Sequence, residues 1–209
     1  MATPELHLPT GSGRFDPSAL ADVTSAFVRA VDLAGSLIRL SDVDVAAIDA
    51  PDLTIPGWGC GGYTYGPHSV VLALDPAAPV EQDRILPTLV HEFHHVMRER
   101  GPGCGSSLRE RIVSEGLAML FEEEVLGVAS EFAHQPIQPD DIARVIQALD
   151  EDPADEGRWF FHASDVPLWF GYSIGYQWAR GFAASRSMTA SQLVDTHAPE
   201  ITAPFEATP

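Results

Sequence analysis

The sequence contains no lysine. All 12 of its basic residues are arginine, set against 30 acidic residues, for a formal net charge of −18 over 209 residues. Without a basic stripe the chain cannot neutralise phosphates, which excludes nucleic acid as a partner. The same deficit excludes an anionic membrane surface. Two cysteines, Cys60 and Cys104, are too few for a disulfide framework. The apolar runs fall far short of a membrane span. The opening MATPELHLPTGSG has neither a basic n-region nor an apolar h-region, so the expectation is a cytoplasmic protein with no secretory signal.

What is present fits a globular chain: 45% hydrophobic and 20% charged residues. At this length folding removes ~70% of the surface exposed by the unfolded chain, so a core can form without staples. Residues 1–16 read as a loose lead-in. From Pro17 to about Leu40, Leu20, Val23, Phe27, Val31 and Ala34 recur at helical steps. Val43–Ile48 alternates as a strand, the glycine-loaded stretch 51–67 reads as a loop or hairpin, and Ser69–Leu74 (SVVLAL) is a second strand. Helices are predicted over Glu81–Arg100, Ser106–Leu126 and Asp140–Asp150, and from Leu168 to Phe182. The tail from Thr189 looks frayed because of Pro199 and Pro204. The reading is one helix-rich α+β domain over 1–209, with a small mixed or antiparallel sheet.

His91-Glu92-Phe93-His94-His95 has the form H-E-x-x-H. Residues i and i+4 share a helix face, so His91 and His95 can reach one metal ion. Glu92 lies ~100° round the same helix, beside the ion. Zinc takes nitrogen ligands at ~2.0–2.1 Å and lowers the pKa of its bound water towards ~7. Glu92 then suits the general base that takes the proton and returns it to the leaving group. Leu86, Leu89, Val90, Phe93, Val96 and Met97 fall opposite the histidines, giving the helix an apolar back. Pro87 must sit in the first turn or kink the helix. His94 is three residues from His91; pairing with His95 leaves Glu92 correctly placed, so His94 reads as a supporting hydrogen-bonding residue.

A catalytic zinc needs a third protein ligand. Glu115 shares a predicted helix face with Leu108, Ile112 and Met119, where a carboxylate requires a cation. That cation is either the metal or an arginine, with Arg84 and Arg98 as candidates. Glu122, two turns on, is the fallback, and Glu123 and Glu124 read as solvated surface. Tyr172 and Tyr176 are also i, i+4. Either could donate to the oxyanion of an attacked carbonyl, or both could be core aromatics; the sequence does not separate them. His162 is a further candidate for the oxyanion. Cys104 stands in the turn between the two ligand-bearing helices, and neither cysteine has a catalytic partner nearby in sequence.

HEFHH, a short turn, SEGLAMLFEEEVLG and then Gly171-Tyr172-Ser173-Ile174-Gly175-Tyr176 resemble, over about residues 69–182, a family of zinc-dependent proteases known as domain of unknown function 2268. The resemblance extends to the gluzincins, which use two histidines and one glutamate. It implies a zincin-like fold, zinc on His91, His95 and Glu115, and Glu92 as general base. It further implies that Val70–Leu74 is an edge strand that holds the substrate backbone by β-augmentation. The expected activity is hydrolysis of peptide bonds in a peptide or protein. The rival readings are a non-catalytic zinc-binding or regulatory module and a small-molecule amide hydrolase.

Overall fold

The computed structural model describes residues 3–161 and 166–206. The chain falls into two compact units, Met1–Arg100 and Gly101–Pro209. The fold class is α+β as expected, helix-rich with one small mixed sheet.

Among its described residues the first unit holds the four-stranded sheet and two α-helices. Its strands are β1 (Glu5–His7), β2 (Asp44–Asp49), β3 (Cys60–Thr64) and β4 (Ser69–Leu74), in the order β1-β2-β4-β3. β1 and β4 both run parallel to β2, and β3 runs antiparallel to β4. Helix α1 (Pro17–Gly35) starts where Asp16 accepts from the Ala19 N–H and Pro17 supplies a preset φ. It buries the stripe Val23, Ala26, Phe27, Ala30 and Ala34. Helix α2 (Gln82–Glu99) packs on α1 and on the β3–β4 hairpin. Pro87 sits in its second turn, not its first, so the Asp83 carbonyl receives no N–H from that position. Beyond the C-terminal end of α2, Arg100 donates from Nε to the Pro67 carbonyl at 2.7 Å and from Nη2 to that of Ser41 at 2.7 Å.

Two expectations fail here. Residues 5–7 are not a loose lead-in but a parallel strand that continues the sheet beyond β2. β4, expected at the edge, lies between β2 and β3. Its continuous apolar run is that of a strand covered on both faces, and its last three residues are all buried. The outermost strand on that side is β3.

The second unit is helical among its described residues: α3 (Leu108–Leu126), α4 (Pro139–Ala148), α5 (Phe170–Arg186) and α6 (Ala198–Glu206), with one π-helical turn at Gly157–Phe161. A reciprocal cap between Ser107 and Glu110 starts α3, and Gly127, with φ at +75°, ends it. α3 packs on α5 through a glycine pair. A Cβ on Gly116 would fall on the Gly175 carbonyl, and one on Gly175 would fall on that of Ile112. The tail is not frayed: Pro199 lies in the first turn of α6, where its missing N–H costs nothing, and Ile201 and Thr202 are buried. The core of this unit gathers Leu108, Ile112, Trp159, Phe170, Ile174 and Trp178.

Candidate metal centre

The apolar back of α2 is real. Leu86, Leu89, Val90, Phe93 and Val96 are all buried, and this fixes the opposite face. There His91 and His95, one turn apart, bring their Nε2 atoms to 3.0 Å, with the ring planes at 80°. One ligand-type atom from each of His91, Glu92 and His95 lies within 4.8 Å of the other two. Two nitrogens each ~2.0–2.1 Å from one tetrahedral zinc stand ~3.3 Å apart, so the histidine pair needs only a slight opening to take the ion. Two imidazoles plus a carboxylate are also the donor chemistry that zinc favours. His94 is fully buried.

The partner that shapes this face is β3. Strand side chains alternate, so Cys60, Gly62 and Thr64 point the same way, and the structure turns that side to α2. Cys60 Sγ lies 3.8 Å from Thr88 Oγ1. Thr64 donates its hydroxyl to Glu92 Oε2 at 2.8 Å, and Thr64 Oγ1 also lies 3.2 Å from the Glu92 main-chain carbonyl. A Cβ on Gly62 would stand 2.6 Å from Glu92 Cγ and 2.7 Å from its Oε1. The Glu92 carboxylate therefore lies flat against β3, over a residue that has no side chain. Sequence reading missed both Gly62 and Thr64, because the contact spans 28 positions and neither residue belongs to the motif. Burial pushes the Cys60 thiol up to about 11 against a lowering by Thr88 and Arg84, so without metal it stays a thiol at neutral pH.

In the second unit, Glu115 is buried on α3. A cation beside it is one that the sequence reading did not name. Arg84 pairs with Glu81 at 2.7 Å, while Arg111, one turn before Glu115 on its own helix, comes within 3.7 Å of Glu115 Oε1. Arg111 Nε also meets Glu156 at 2.8 Å. Burial works against the guanidinium's charge, but Glu115 first, then Glu156, Cys104 and Tyr172, hold its pKa above the usual arginine value. The i, i+4 spacing of Arg111 and Glu115 was the available sequence signal. Glu122 is buried as well.

The two tyrosines differ. Tyr176 is buried and donates its hydroxyl to Glu123 Oε2 at 2.6 Å. Burial and that bond push its pKa up to about 12. Tyr172 is half-buried among Phe132, Phe160 and Trp169. Glu123 and Glu124 are not free surface charges: Glu123 holds Tyr176, and Glu124 accepts from the Ser191 N–H and hydroxyl at 2.8 and 2.7 Å. His162 lies outside the described residues. No helix among the described residues is long and apolar enough to cross a membrane.

No curated protein and no solved structure matches the chain. Residues 42–203, which run from just before β2 into α6 and take in all three sequence blocks, match the model of a family described as Predicted Zn-dependent protease (DUF2268), and the chain belongs to that family.

Proposed function

We propose that the protein is a zinc metallopeptidase of gluzincin type, hydrolysing peptide bonds in a peptide or protein substrate. Zinc is the metal in the family's description, and the His91-Glu92-His95 cluster is one that could hold it. His91, His95 and Glu115 are the proposed ligands, and Glu92 the general base and acid. The observation that carries the reading is the convergence of the two Nε2 atoms at 3.0 Å beside the Glu92 carboxylate, on a helix whose other face is buried. Glu115 rests on the order of the sequence blocks and on its buried setting, which demands a positive partner.

When bound, zinc supplies Lewis-acid polarisation of a carbonyl and acidification of a water. Glu92 accepts a proton and delivers it to the leaving amine. Tyr172 and Tyr176 are the candidate oxyanion donors, the hydroxyl of Tyr176 being hydrogen-bonded to Glu123. The strand that suits an incoming peptide is β3, not β4. On β3 the Cys60 carbonyl accepts from Ile55, while Tyr65 N–H reaches Ser69 on the β4 side. By alternation, the backbone groups of Gly62 and Thr64 face outward, away from β4.

Glu92→Gln tests the mechanism. It should keep zinc and lose peptidase activity roughly 10²–10⁴-fold; undiminished activity would sink the assignment. Full zinc content in a wild type that turns over no peptide would favour the non-catalytic zinc module, and turnover of small amides alone would favour the amide hydrolase.

A further inference from the structure

The Glu92 carboxylate is held by two residues of β3 that lie outside any motif. A glutamate's terminal torsion is broad, so a carboxylate on the side of a helix samples many orientations unless something fixes it. Here Oε2 accepts the Thr64 hydroxyl at 2.8 Å. Oε1 lies over the bare Cα of Gly62, at 2.7 Å from where a Cβ would stand. Cγ and the Thr88 methyl close the same space, at 2.6 and 2.8 Å from that point. The two oxygens are thereby made unequal: one is anchored and the other is left for chemistry. The anchoring strand is an edge strand of the sheet, so whatever lies along β3 shares the strand that aims the base.

We propose that Thr64 is a positioning residue for Glu92, acting through its hydroxyl, and that Gly62 is required as glycine because a side chain there would displace the same carboxylate. The proposal rests on the peptidase reading above. It adds that the base is preorganised by β3 and not by its own helix. A misplaced base slows the chemical step and leaves substrate binding largely intact.

The test has two arms. The first needs neither zinc nor activity: urea midpoints of the metal-free wild type, Thr64→Val, Glu92→Ala and the double variant. Valine suits a strand, so the fold should tolerate it. Thr64→Val should lower the midpoint in the wild-type background and by clearly less in the Glu92→Ala background, where the hydroxyl keeps only the main-chain carbonyl of residue 92, at 3.2 Å. Equal losses in both backgrounds would overturn the contact. The second arm compares peptide turnover by the zinc-loaded proteins. Thr64→Val should lower kcat about 10- to 100-fold, with KM within about twofold and zinc content unchanged. Thr64→Ser, which restores the hydroxyl, should recover kcat to within about threefold of wild type. Gly62→Ala gives a second route to the same loss, independent of Thr64. Wild-type kcat in both Thr64→Val and Gly62→Ala would overturn the positioning role while the peptidase reading stood. A wild type that hydrolyses no peptide would overturn both readings, and the first arm would still report on the contact.

Discussion

Helices α2 and α3 each carry a buried carboxylate proposed for the site, and each provides for it differently. Glu92 on α2 is held by a strand 28 residues away in sequence. Glu115 on α3 has a cation, Arg111, one turn away on the same helix. α2 divides into an apolar face and a histidine face, whereas every residue of α3 from Ile112 to Glu122 is buried. On a two-faced helix a polar residue is conspicuous and its role can be read. On a helix buried throughout, every polar residue needs a partner, and burial alone does not distinguish a ligand from half of an ion pair.

The comparison can be broken most forcefully at the glycines. Gly116→Ala should destabilise the protein by about 3 kcal/mol, because the added methyl meets the Gly175 backbone and the α3–α5 contact must open. Gly35→Ala, at the end of α1 with nothing within 4 Å, should be neutral or stabilise by roughly 0.5 kcal/mol. Denaturant midpoints of the two variants decide this. Equal effects would remove the claim that α3 depends on close helix approach.

A smaller effect sharpens the role of Glu115. Arg111→Met removes the guanidinium 3.7 Å from it, so the metal-free protein should lose about 1–3 kcal/mol. If Glu115 binds zinc, saturating zinc should restore much of that loss. Calorimetry with and without zinc reads both quantities. An unrecovered loss would assign Glu115 to the ion pair.

Two lesser predictions concern titration. Tyr176 is held near 12 in the fold, above the usual phenol value of 10.0. A raised folded-state pKa means that the stabilisation is fully present below pH 10 and is lost as pH rises towards 12. Stability should therefore fall through that window, and Tyr176→Phe should flatten the fall. Cys60, near 11, leaves roughly one thiol in a thousand ionised at pH 8. Mass spectrometry should find it unalkylated by iodoacetamide in the native protein and alkylated on unfolding.

Much of this was legible beforehand, for physical reasons. Ser69–Leu74 was delimited to the residue, because a run of apolar β-formers ended by Asp75-Pro76 has few alternatives. α1 and α2 followed from their periodicity. Strand order did not follow. SVVLAL reads as a strand without saying which neighbours flank it, although its unbroken apolarity is a mark of an interior strand. β1 is too short for a periodic signal, and α6 is masked by two prolines, the first of which sits where a helix tolerates it. At the site, the H-E-x-x-H spacing carried His91, Glu92 and His95. The threonine and glycine that fix Glu92 depend on a strand register that no local pattern encodes.

The central claim is that zinc binds through His91, His95 and Glu115. It is tested most directly by elemental analysis of purified wild type beside His95→Ala and Glu115→Ala, each confirmed folded. The account predicts one zinc per wild-type chain and loss of the metal from both variants; full retention by both would contradict it.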